Sequence, residues 1–101
     1  MKTIEWASGL FEGEGSITTT GTRPKLYLSL TDLDVLQEFV SIIGHGSIFK
    51  RKLYKPHHKQ AYEWQITKRS VVYSVLEAML PYLGQRRAYK ALNCLDELDK
   101  I

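Results

Sequence analysis

Ala7-Ser8-Gly9-Leu10-Phe11-Glu12-Gly13-Glu14-Gly15 closes the first apolar-periodic stretch of the chain. It puts three glycines and two carboxylates where a helix should be ending. A glycine inside a helix costs about 0.5–1 kcal/mol relative to alanine, and acidic side chains are disfavoured at a helix C-terminus, where the macrodipole is negative. Both penalties occur together here, so something other than helix stability selects these residues.

Gly9 and Gly13, four apart, share one helix face, where the missing side chains let a second helix approach backbone to backbone. A glycine C-cap would account for Gly13 or Gly15, but not for Gly9. Read alone, Glu12 and Glu14 make a solvated helix end. Beside the carbonyl oxygens that a helix end leaves without donors, they also make a set of hard oxygen donors suited to Mg²⁺ or Ca²⁺. One such end is an incomplete cage. Two of them, brought together about a two-fold axis by glycine-lined helices, could hold metals between subunits and activate water against phosphodiesters.

From this stretch outward, the periodicity predicts alternating helices and hairpins. Ile4 to Glu12 reads as a helix with Ile4, Ala7, Leu10 and Phe11 on one side, stopped by Gly13 and Gly15. Ser16-Ile17-Thr18-Thr19-Thr20, a Gly21-to-Pro24 turn, and the strictly alternating Lys25-Leu26-Tyr27-Leu28-Ser29-Leu30 form a hairpin with the leucines inward. Thr31-x-x-Asp34 has the form of a capping box and opens a helix to about Ile43, with Leu36, Phe39, Val40 and Ile43 apolar and Gly44-His45-Gly46 as its end. A second hairpin runs from Ser47 to Leu53, through a loop at Pro56, and back along Gln60 to Thr67. A helix follows from about Ser70 to Leu83 despite Pro81. A last one carries Ala88, Leu92, Leu95 and Leu98, with Cys94 a small core residue.

The order α-ββ-α-ββ-α-α implies an α+β domain: a four-stranded antiparallel sheet with helices on one face and the other face open. One domain is the expectation for 101 residues. Thr18, Thr20, Lys25, Tyr27, Ser29, Arg51, Gln65 and Thr67 fall on the open face, with Arg23 at the turn. Such a face is either simply solvated or reaches base edges and phosphates in a major groove. Charge favours the second reading. The net charge is only +3, but between residues 50 and 69 the bases Lys50, Arg51, Lys52, Lys55, Lys59, Lys68 and Arg69 stand against Glu63 alone. Trp6, Trp64, Tyr62 and Tyr82 are expected in the core. Ile48 and Phe49 give conflicting registers, so alternation leaves open which of Lys50, Arg51 and Lys52 meets DNA.

Ala7 to Gly15, with Ser16-Ile17 after it, resembles the nine-residue signature of the LAGLIDADG homing endonucleases, and the element order resembles that family's fold over essentially the whole chain. Ala7, Ser8, Glu12 and Glu14 depart from the letters of the signature, but glutamate keeps the carboxylate. The resemblance implies a saddle-shaped sheet over the major groove. It makes Glu14 the metal-binding acid, the Gly13 carbonyl a further ligand and Glu12 a structural residue of the helix end. It places a basic residue at the start of the final helix, best matched by Arg86 with Arg87 as alternative, and a polar residue after the second strand, matched by Thr31. It also implies a homodimer joined through Gly9, Gly13, Ser8 and Glu12. This dimer would hydrolyse both strands of a roughly palindromic double-stranded target with Mg²⁺, Mn²⁺ or Ca²⁺ substituting for binding, as befits intron or intein mobility.

The main rival is a catalytically inactive relative acting as an RNA-splicing maturase or a DNA-binding regulator. A small RNA-binding module is disfavoured, because no aromatic RNP1-type strand and no Gly-x-x-Gly clamp loop is present. His45, His57 and His58 lack the spacing of a zinc site. With no signal-peptide block, no membrane-length apolar run and a single cysteine, the expectation is an intracellular protein, cytoplasmic or organellar, that engages neither membrane nor small-molecule cofactor.

Overall fold

The computed structural model describes residues 2–20, 23–53 and 59–99, apart from the Thr20 side chain. The turn at Gly21-Thr22, the Pro56 loop, Lys55, His57, His58 and the side chain of Thr20 therefore lie outside the described residues.

Helix α1 spans Ile4–Glu14, with Thr3 as N-cap accepting a hydrogen bond from the Trp6 amide. It buries Ala7, Ser8 and Phe11 and runs one residue past Gly13, which was expected to stop it. Gly13 has no positive φ, so it continues the helix instead of capping it. Gly15 is the C-cap, extended at φ −85° and ψ 166°, and is glycine for a steric reason: a Cβ there would clash with the Phe11 ring.

Strands β1 (Gly15–Thr20) and β2 (Arg23–Leu30) form the first hairpin, with Gly15 opposite Leu28 and Ile17 opposite Leu26. Helix α2 (Leu33–Ile43) starts one residue later than a capping box at Thr31 requires. Asp32 is its N-cap, with no side-chain cap hydrogen bond, so the Thr31 hydroxyl is not used as a cap. Gly44 ends α2 in the left-handed region, at φ 79°, as expected.

Strands β3 (Ser47–Lys50) and β4 (Tyr62–Ile66) form the second hairpin, shorter than its alternation suggested. Beyond the strands the Arg51 amide still donates to the Ala61 carbonyl, and the Gln60 side chain bridges the Arg51 and Ala61 carbonyls. All pairs are antiparallel in the order β1-β2-β4-β3. This gives the four-stranded open sheet expected of the α+β reading.

The sequence pattern predicted one helix from Ser70 to Leu83. Instead α3 ends at Met79 (Arg69–Met79), and Leu80–Tyr82 tightens into a 3₁₀ turn. Pro81 lacks the N–H and crowds the preceding turn, so the α geometry cannot continue. Helix α4 (Gln85–Asp99) buries Ala91, Cys94, Leu95 and Leu98. Leu92, expected inward, is 52% exposed.

Trp64 centres the core. It is fully buried, donates its indole N–H to the His45 carbonyl across 2.8 Å, and meets Phe39 edge-on at 4.9 Å between centroids. Trp6 and Tyr62 pack against the cluster, whereas Tyr82 is exposed on the 3₁₀ turn. Among the described residues no helix is long and apolar enough to cross a membrane.

Candidate active site and nucleic-acid interface

Register assigns the open face. Ile17, Leu26, Leu28, Trp64 and Ile66 turn toward the helices, so their alternates Ser16, Thr18, Lys25, Tyr27, Ser29, Glu63 and Gln65 share the other side. Tyr27 lies between Ser16 and Gln65, and Lys25 opposite Thr18. Thr67, just beyond β4, is exposed, as is Arg23 at the start of β2.

The ambiguity at Ile48 and Phe49 is resolved by pairing. Ile48 sits opposite Trp64 on the core side, and Phe49 opposite Glu63 on the open side, where it is 42% exposed. Lys50 is opposite Tyr62, so its parity is that of Ile48, away from the open face. Arg51 reaches that face and donates to Ser29 Oγ at 3.5 Å. Lys52 is exposed beyond the strand.

Glu63 is the residue sequence reasoning missed here. It is 8% exposed, its Oε1 accepts a hydrogen bond from Ser29 Oγ at 3.2 Å, and its Oε2 lies 3.9 Å from Lys25 Nζ. Lys25 also stands over the Tyr27 ring at 4.7 Å. The lone acid of this basic region is thus buried under the groups that neutralise it, and what remains outward is polar, aromatic or cationic.

The active-site candidates gather where α1, β1 and α4 meet. Glu14 is the exposed last residue of α1, and among the described residues no hydrogen bond or ion pair engages it. The Gly13 carbonyl belongs to the last turn, where carbonyls have no partner within the helix. Glu12 turns the other way. Its Oε1 accepts a hydrogen bond from the Gly84 amide at 2.6 Å, and its Oε2 is 3.7 Å from Arg87 Nε.

Arg87 also donates to the Gly15 carbonyl and covers the Phe11 ring at 5.7 Å. Its guanidinium is therefore committed to joining α4 to the α1–β1 junction. Arg86 is exposed and lines a depression of about 270 Å³ with Ser16 and Lys90. Thr31 is exposed just past β2, three residues beyond Leu28, the partner of Gly15. At about 3.3 Å per residue it lies at the same end of the sheet as Glu14.

On the outer side of α1, Gly9 and Gly13 are exposed, and a Cβ at either would meet nothing within 4 Å. Ser8, expected beside them, is instead fully buried, with its hydroxyl unpartnered among the described residues. It has no surface to offer a second chain. Glu12 is likewise turned toward its own α4. Among the described residues no group of three or more His, Cys, Asp and Glu gathers as a metal cage, so Glu14 and the Gly13 carbonyl are at most part of a donor set.

No protein-family model and no curated protein sequence matches the chain. Solved structures do. The homing endonuclease I-CvuI, in complex with its target and calcium, superposes with a TM-score of 0.73 at 20% identity, covering 96% of this chain and 66% of that one. The group I intron-encoded homing endonuclease I-CeuI, complexed with DNA, gives 0.74 at 16%, covering 95% and 53%. The LAGLIDADG meganuclease I-CpaMI, bound to uncleaved DNA, gives 0.73 at 17%, covering 98% and 38%. This chain spans slightly less than two thirds of the I-CvuI chain and smaller shares of the other two. Over nearly its whole length it has the fold of the LAGLIDADG homing endonucleases, as the resemblance at Ala7 to Gly15 implied.

Proposed function

We propose that this chain is a single-domain, homodimeric, divalent-metal-dependent endonuclease that makes a double-strand break at a specific, roughly palindromic DNA site. The observation that carries the reading is the position of Glu14. This exposed carboxylate ends a helix whose outer side is opened by Gly9 and Gly13, and it leads directly into a strand of the open polar sheet face. Solved neighbours of the same fold that are bound to DNA support the choice of partner.

In this reading Gly9 and Gly13 seat against the same residues of a second copy, which brings two copies of Glu14 together at the centre of the duplex. The Glu14 carboxylate and Gly13 carbonyl are hard oxygen donors of the class Mg²⁺ takes. A second chain and the phosphate oxygens would complete a set that one chain leaves short. A bound divalent ion supplies charge stabilisation at the phosphate and a more acidic water.

The chain's own residues do the rest. Arg86 offers a permanent cation to the anionic phosphorane-like oxygens. Thr31 orders water at the same end of the sheet. Lys25, Tyr27, Ser29, Gln65, Thr18, Thr67, Arg23 and Arg51 meet the groove, and Lys52, beyond the strand, completes the contact set at its margin.

Selection of cleaved sequences from a random duplex pool in Mg²⁺ tests the reading. The expected outcome is one enriched, two-fold-related site cut on both strands by wild type and left uncut by Glu14→Gln. Cleavage by Glu14→Gln at the wild-type rate would overturn the assignment.

A further inference from the structure

Helix α4 packs beside β1, one of the two edge strands of the sheet, and two depressions open between them. The first, of about 270 Å³, is lined by Ser16, Arg86 and Lys90 among others; the second, of about 370 Å³, by Thr18, Lys90, Asn93 and Glu97 among others. Lys90 lines both, so they form one groove along the strand. Ser16 and Thr18 belong to the open face, which makes the groove continuous with it.

The groove's charge is uneven. Glu12 at its near end is occupied by Gly84 and Arg87. Arg86 and Lys90 carry no hydrogen bond or ion pair among the described residues. They are four apart on α4, so their Cβ atoms stand about 5–6 Å from one another and both cations can close on a single tetrahedral anion. Glu97, seven residues beyond Lys90, lines the far depression. The near end adjoins Gly15, the residue after Glu14.

We propose that the β1–α4 groove seats one phosphodiester of the DNA backbone flanking the cleaved position. Lys90 acts there as a phosphate-positioning residue, supported by Arg86, Asn93 and Ser16. The inference rests on the DNA-endonuclease reading and extends it to a surface outside the sheet. Lys90 sets where the strand lies and not which bases are read, so its effect is independent of sequence.

The test is binding to a mixed-sequence duplex, followed by fluorescence anisotropy in Ca²⁺ between 50 and 200 mM salt. Lys90→Ala should lower the slope of log affinity against log salt by about 0.9. The wild-type advantage should therefore shrink about 3.5-fold across that range. Lys90→Arg should restore the slope, Asn93→Ala should weaken binding equally on all sequences, and melting temperatures should be unchanged. A wild-type slope for Lys90→Ala, in a protein that binds duplex and is weakened by Lys25→Ala, overturns the groove alone. A wild-type protein that binds no duplex overturns the endonuclease reading and the groove with it.

Discussion

The Glu12 carboxylate accepts a hydrogen bond from the Gly84 amide across 2.6 Å, joining the last turn of α1 to the start of α4 over 72 residues of sequence. Gly84 has no side chain to cap α4, although its carbonyl receives the Ala88 amide in the helix's first turn. Glu12 takes the Gly84 amide itself, as the acid of a capping box does, but from another helix, and sets its charge near the positive end of the α4 dipole. Arg87, held by Glu12 and the Gly15 carbonyl, closes the same junction from the α4 side. The two acids of the motif thus divide their work: one fixes the frame that aims the other.

Glu12→Ala should therefore cost stability and Glu14→Gln should not. Loss of a cap of this kind costs about 1 kcal/mol, with little added for the half-exposed ion pair to Arg87. In a domain of this size that lowers Tm by about 4–8 °C. Thermal melting at fixed protein concentration checks it. A Glu12→Ala protein melting with wild type would show that the contact contributes nothing to the frame.

Gly9 separates the stability of one chain from that of the dimer. Since a Cβ there meets nothing within the monomer, Gly9→Ala should gain about 0.5–1 kcal/mol of helix stability in the isolated chain. Gly9→Leu should block the close approach of two α1 helices. Sedimentation should show Gly9→Leu monomeric where wild type is dimeric, with its far-UV spectrum intact. An unaltered dimer would place the interface elsewhere.

Local pattern made the element order legible, because Leu26, Leu28 and Leu30, or Leu36 and Phe39, repeat at periods that only one backbone geometry satisfies. It failed where a distant partner decides. Gly13 and Gly15 look alike as helix stops, yet only Gly15 is required, by the Phe11 ring. Thr31 has the spacing of a cap, but the helix begins after Asp32. Ile48 and Phe49 could not be told apart until Trp64 and Glu63 stood opposite them. The choice between Arg86 and Arg87 likewise turns on Glu12 and Gly15, far away in sequence. Lys90 was within reach, four residues beyond Arg86 on the same face. In the sequence Glu63 stands out only as the lone acid of a basic segment, and its burial under Lys25 and Ser29 needed the strand order.

Two tyrosines, Tyr82 exposed and Tyr73 half-buried, pair with carboxylates at helix ends and should make the fold sensitive to alkali. Tyr82 is hydrogen-bonded to Glu5, and Tyr73 donates to Asp99 at 3.5 Å. In each case that hydrogen bond, then the carboxylate's charge, raises the phenol pKa above its usual value of about 10. The folded state holds these protons more tightly than the unfolded state. Their stabilisation is thus complete below about pH 10 and is lost as pH rises through the raised folded values. Melting temperatures measured from pH 9 upward should fall more steeply for wild type than for the Tyr73→Phe/Tyr82→Phe pair. Parallel curves would mean neither contact survives in solution.

Glu63 offers the sharpest test of the open face as a DNA surface. Its charge holds Lys25 and orders the Ser29 hydroxyl, to which Arg51 also donates. Three groups that could meet DNA are thereby fixed in place by one buried acid. Glu63→Gln keeps an acceptor for Ser29 but releases Lys25 to the phosphates. General duplex affinity should rise and the salt slope should steepen by about 1, while discrimination between the preferred site and a mixed-sequence duplex should fall, since Lys25 loses its fixed direction. Competition binding at two salt concentrations measures both. If affinity and discrimination are both unmoved, the Lys25–Glu63–Ser29 network does not face DNA, and the duplex must lie on another surface.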